Sequence, residues 1–195
     1  MKIITHDRCT GYERAGHPEN PRRIAATLAR LRAQTELPVQ LVEPSGTAPT
    51  EAILRAHTPE MLARLDVPED FDDDTPHYPD ITQFALESVA AALDALAAAR
   101  QGEMVFSLMR PPGHHATKTH SMGFCFLNNI AIAVLEAHAA GFKRIGVLDF
   151  DVHHGNGTED IFRDEPRAML CSTFQHPFYP HCGADTVSEH IVNVP

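Results

Sequence analysis

Hydrophobic and polar positions alternate between extended and helical spacing along this chain. Apolar Ile3 and Ile4 make residues 2–5 a short strand. Over residues 21–33, Ile24, Leu28 and Leu31 recur at helical spacing behind Pro21, which suits a first turn because no N–H is needed there; this predicts an amphipathic helix. Residues 39–42 read as a strand, and residues 50–65 as one or two short helices broken at Pro59. Residues 66–80 are rich in Asp and Pro without periodicity and read as a loop. The Ala- and Leu-rich stretch 81–100 predicts a long helix that stops before Gly102.

The second half repeats the alternation. Residues 104–109 form a continuous apolar run ahead of a Pro-Pro-Gly loop, and residues 126–140 predict a helix ending at Gly141. Residues 144–150 read as a buried strand, residues 158–162 as a short helix, and residues 168–174 and 191–194 as further strands. Continuously apolar strands separated by helices predict an α/β fold, a mainly parallel sheet covered by helices. No repeat or linker divides the chain, so one domain over residues 1–195 is expected.

Composition narrows the setting. The chain is 43% hydrophobic and 22% charged, as an ordinary globular protein is. It has no run of eighteen apolar residues and its N-terminus turns polar at once, so neither a membrane span nor a signal peptide is expected, and the cytoplasm is the expected location. The four cysteines, Cys9, Cys125, Cys171 and Cys182, form no C-x-x-C pair, which speaks against a zinc ribbon or a disulfide framework. A formal charge of −10 without a basic stripe argues against nucleic acid as a partner and is compatible with a cationic substrate, a lysine-rich tail or a polyamine. Association with a second copy of the chain is left open.

Thirteen histidines stand out, six of them at His114-His115, His153-His154, His176 and His181. Two loops carry the chemistry, each just beyond the carboxyl end of an expected strand, where open α/β sheets bind ligands. In Arg110-Pro111-Pro112-Gly113-His114-His115-Ala116, prolines and a glycine dictate the loop path and leave adjacent imidazoles at its end. In Asp149-Phe150-Asp151-Val152-His153-His154-Gly155-Asn156-Gly157, period-two alternation puts Asp149, Asp151 and His153 on one side. Carboxylate plus imidazole is an ordinary zinc donor set. Two aspartates at the end of an apolar strand are costly unless they meet a cation or paired donors.

These segments, with Met122-Gly123-Phe124-Cys125 between them, resemble the signatures of the histone deacetylase superfamily, especially its second-class and bacterial members, which include acetylpolyamine amidohydrolases. The similarity extends from His17-Pro18-Glu19-Asn20-Pro21-Arg22-Arg23 to Asn193-Val194-Pro195. The resemblance implies the arginase/deacetylase fold and a zinc-dependent deacetylase acting on acetyl-lysine peptides or acetylpolyamines. It implies Zn²⁺ ligands at Asp151 and His153, tandem catalytic histidines at His114 and His115, and orienting partners at Asp149 for His114 and Asn156 for His115. Gly123 and Phe124 would wall a substrate tunnel, Asp74 would be a rim acid, and Arg23 would line an internal channel. A structural K⁺ would take oxygens from Asp149, Asp151, His153, Ser172 and Thr173.

The resemblance also implies features that these residues lack. The family's third zinc ligand, an aspartate, and its Tyr or His carbonyl donor lie downstream of the segment matching Asn193-Val194-Pro195. The chain is therefore expected to be the N-terminal portion of a longer enzyme and inactive in isolation. Ser172-Thr173-Phe174-Gln175-His176 departs from the Ser-x-His of many relatives, which leaves His176 without an assigned role. Two alternatives remain at this stage: a non-catalytic binder of acyl ligands, and an arginase-like hydrolase with two manganese ions.

Overall fold

The computed structural model describes residues 1–46, 48–185 and 188–195. In chain order the elements are β1 (Lys2–Ile4), a 3₁₀ turn (Asp7–Thr10), α1 (Arg22–Ala33), β2 (Gln40–Val42), α2 (Thr50–Ile53), α3 (Pro59–Arg64), α4 (Ile81–Ala99), β3 (Val105–Ser107), α5 (Asn129–Ala139), β4 (Ile145–Asp149), α6 (Asn156–Phe162), β5 (Ala168–Thr173) and β6 (Ile191–Val194). Every strand and helix expected from the pattern is present, with shifted ends. The largest shift is in α5, which begins after Phe126 and Leu127. The Asn128 side chain accepts from the Ala131 amide at 3.0 Å and caps the helix there, while Phe126 and Leu127 are buried ahead of the first turn.

All strand pairs are parallel, in the orders β2-β1-β3 and β4-β5-β6. The expected central sheet is thus divided: among the described residues no ladder joins β3 to β4. On the second sheet Val147, Leu170 and Ile191 turn toward the helices, whereas Leu148 and Met169 point outward and stay exposed. The main core lies between α4, α5 and this sheet, built from Ile81, Ala85, Val89, Ile132, Phe162, Leu170 and Ile191. A smaller cluster of Ile3, Cys9, Ile24, Leu28 and Leu108 packs α1 onto the first sheet. Among the described residues one helix, α4, is long and apolar enough to cross a membrane, and here its apolar side packs against α5 and β3.

Parallel pairing has a consequence for function. The carboxyl ends of the strands in each sheet lie on a shared edge, so the loops leaving β3, β4 and β5 gather their side chains there.

Candidate active site

The loop after β3 is pinned at both ends. Arg110 is almost fully buried; its Nε and one terminal nitrogen donate to the two oxygens of Glu19, each at 2.6 Å, and its other nitrogen donates to the Cys9 carbonyl at 2.8 Å. Its guanidinium also stacks on the Tyr12 ring, 4.0 Å from the centroid. Downstream, Ser88 and Asn129 donate to the Pro111 carbonyl at 2.9 and 3.2 Å, and the Thr158 amide donates to the His114 carbonyl at 3.0 Å. Gly157 is needed at this crossing, because a Cβ there would run into the Ala116 carbonyl.

The loop delivers two imidazoles with centroids 4.0 Å apart. His114 Nδ1 lies 2.9 Å from Asp149 Oδ2, and His115 Nδ1 lies 2.7 Å from Asn156 Oδ1. Both acceptors are oxygens, so the network assigns the proton of each ring to Nδ1 and leaves the Nε2 lone pair free. Burial, and then the charge of His114, pushes His115 down to about 3, so the ring is neutral near pH 7. Burial opposes ionisation of Asp149, but the hydrogen bond and charge of His114 outweigh it and hold the carboxyl below its usual range.

Beyond the end of β4 at Asp149 come Asp151 and His153. Asp151 Oδ1 lies 3.0 Å from His153 Nδ1 and accepts from the His153 amide at 2.8 Å. The His153 ring is T-shaped to His115 at 5.9 Å, which brings this pair up to the tandem histidines.

Together these groups line a cleft of ≈ 510 Å³ with Arg23, Asp74, Gly123 and Phe124. Gly123 has φ +56, and a Cβ on it would lie 2.5 Å from the His115 ring, so glycine serves both the backbone and the cleft. Asp74 is the member of the Asp72-Asp73-Asp74 run that reaches the cleft; Asp72 and Asp73 line a neighbouring hollow with Arg14 and His17. His17 fixes this rim: its Nε2 lies 3.0 Å from the Asp74 carbonyl and its ring meets Phe124 edge-on at 4.7 Å.

Ser172 and Asp149 are direct register partners across β4 and β5, so two of the expected potassium donors do come together. Thr173, the last residue of β5, is exposed. The histidine cluster of the sequence is split. His154 is buried against Phe174, with its Nε2 2.9 Å from Glu159, off the direction of a hydrogen bond. His176 and His181 are exposed and do not line the cleft.

Four residues were missed at the level of sequence. Phe178 stacks on His153 at 5.3 Å, and Tyr179 is T-shaped to His115 at 5.1 Å, and both line the cleft with Phe124. The signal for both was a Phe-Tyr-Pro segment in the loop that follows a strand. Glu19 and Arg110, paired with each other, bracket the site; the first lies in the His17–Arg23 segment and the second opens the Arg110–Ala116 loop.

Asp151 and His153 present a carboxylate oxygen and an imidazole nitrogen to one point of the cleft, which fits two protein ligands of a zinc site. Among the described residues no group of three His, Cys, Asp or Glu side chains is placed to hold a metal. Both Asp149 oxygens are engaged, one by His114 and the other by the Asp151 amide at 3.1 Å.

A parallel α/β scaffold with tandem histidines beside an Asp-x-His arm defines a class, and comparison with known proteins identifies it. The histone deacetylase domain family matches residues 17–195. A probable deacetylase of Archaeoglobus fulgidus is 35% identical over 99% of this chain and 58% of its own length. Histone deacetylase 15 of Arabidopsis thaliana is 36% identical over 92% of this chain and 36% of its own length. The crystal structure of the HDA15 HD domain superposes with a TM-score of 0.92 at 31% identity, covering all of this chain and 62% of that one. The chain belongs to the histone deacetylase family. It spans less than two thirds of the length of these relatives.

Proposed function

We propose that the full-length protein is a zinc-dependent amide hydrolase that removes acetyl groups from lysine-like or polyamine amines. The observation that carries this reading is the meeting, in one cleft, of a neutral His115 backed by Asn156 with the Asp151–His153 pair. Asp151 and His153 would hold the zinc, which when bound supplies Lewis-acid polarisation of the amide carbonyl and acidifies a water. His115 Nε2 carries the lone pair that accepts the proton of the attacking water, and a histidine of the pair returns a proton to the leaving amine. Asp149 and Asn156 hold the two rings in the tautomer this requires. Phe124, Phe178 and Tyr179 flank the acyl chain and exclude water, while Asp74 at the rim receives a substrate N–H or a cationic amine. Asp149 and Ser172, with oxygens of Asp151, His153 and Thr173, would hold the structural potassium.

The deciding experiment assays the full-length protein on an acetyl-lysine peptide and on an acetylpolyamine while its metal content is measured. One zinc per chain with acetate release is the expected result. Full zinc occupancy without turnover of either substrate would overturn the reading.

A further inference from the structure

Glu19 is nearly inaccessible to solvent, yet it lines the cleft and touches two arginines. One is Arg110, which closes a bidentate pair with it at 2.6 Å on each arm. The other is Arg23, whose guanidinium approaches the same carboxylate at 3.4 Å from the next turn of chain. Arg110 stands immediately before Pro111-Pro112-Gly113, and Pro112 and His114 line the cleft with Glu19. No rotatable helix or strand separates the ion pair from the histidines; two prolines transmit its position directly.

A pair that served cohesion alone would gain little from this arrangement, because buried ion pairs are weak stabilisers relative to apolar replacements. What the pair does supply is direction. A planar fork accepted by both carboxylate oxygens fixes the orientation of Arg110 as well as its place, and the Cys9 and Tyr12 carbonyls accept two of its three remaining N–H groups at 2.8 and 3.3 Å. With the Asn129 and Thr158 contacts holding the downstream side, the loop is clamped at both ends.

We propose that Glu19 and Arg110 are positioning residues: their buried pair sets the path of the loop that carries His114 and His115, and Glu19 holds the cleft-lining Arg23 in register with it. The kinetic part of this inference rests on the amide-hydrolase reading; the tautomer part does not.

The test uses full-length protein with ¹⁵N-labelled histidine, comparing wild type with Glu19→Gln and Arg110→Lys. Long-range ¹H–¹⁵N spectra report which ring nitrogen of His114 and His115 carries the proton. The expected result is a defined Nδ1–H form for both rings in the wild type, with loss of that definition in each folded variant and a fall in kcat at little-changed KM. Unaltered histidine spectra in a folded variant overturn the proposal, whatever the activity does. Failure of both variants to fold also overturns it, because the pair is then a stability element. Altered spectra in a protein that turns over neither substrate support the positioning role and count against the hydrolase reading alone.

Discussion

His115 Nδ1 lies 2.7 Å from Asn156 Oδ1, so a neutral amide backs the buried imidazole that faces the cleft, while the neighbouring His114 is backed by a carboxylate. Two adjacent rings thus receive partners of different charge, the arrangement that separates the proton affinities of a pair. Asn156 itself is held at the start of α6, with its Nδ2 3.4 Å from Met122 Sδ. Asn156→Ala frees the His115 ring without touching Asp151 or His153. Its kcat is expected to fall about 10–100-fold with zinc content unchanged, and Asn156→Asp to restore part of the loss. Steady-state kinetics beside metal analysis checks this, and an Asn156→Ala enzyme with full kcat would detach Asn156 from the chemistry.

The division of labour between the two loops predicts a split between metal and turnover. Asp151→Ala removes one of two adjacent donors and is expected to lose zinc and activity together. His115→Ala leaves both donors in place and is expected to retain zinc while kcat falls about 10²–10⁴-fold. Zinc released by His115→Ala would mean that this ring belongs among the metal ligands.

Much of the site was legible before the fold was known, for physical reasons. Strand alternation alone predicts Asp149, Asp151 and His153 on one side; in the fold β4 ends at Asp149, and Asp151 and His153 line the cleft while Asp149 lies behind it against His114. The His114–Asp149 and His115–Asn156 partnerships join residues more than thirty positions apart, and only the family resemblance suggested them. Asp74 was set apart from Asp72 and Asp73 by the resemblance alone, because a charged loop has no periodicity to set its register; the His17 contact to its carbonyl sets it in the fold. Glu19 and Arg110 were invisible as a pair, since they are 91 positions apart and nothing local shows that each will be buried. The division of the sheet was likewise hidden, because an apolar strand reads the same whether or not a neighbour pairs with its outer edge.

Gly157 sits where α6 passes behind the histidine loop. A methyl group there would overlap the Ala116 carbonyl, a backbone atom that cannot rotate away. Gly157→Ala is therefore expected to destabilise the fold by about 1–3 kcal/mol, the usual cost of overpacking. Urea unfolding measures it, and the substitution at Gly146, where a Cβ meets nothing within 4 Å, is the matched control. Equal unfolding midpoints for the two variants would show that the crossing is looser than its geometry implies.

His57 couples the site's framework to pH. Its ring is buried between α2 and the loop after the histidine pair: Nδ1 donates to the Thr117 carbonyl at 2.8 Å, and Nε2 accepts from the Asn128 amide at 2.9 Å. Only the neutral ring can do both, and burial pushes its pKa down from 6.5 to about 4. Between those values the unfolded chain binds a proton that the folded chain refuses, so stability rises with pH across the window. The contribution is complete above the unfolded value of 6.5 and is lost as the pH falls toward about 4. At about 1.4 kcal/mol per pH unit, this one histidine makes the fold about 2 kcal/mol less stable at pH 5 than at pH 7. His57→Gln is expected to lower stability at both values and to shrink the difference between them by about that amount. Urea midpoints at the two pH values decide it: an unchanged difference in the variant would show that His57 titrates in the native state and does not drive the acid lability.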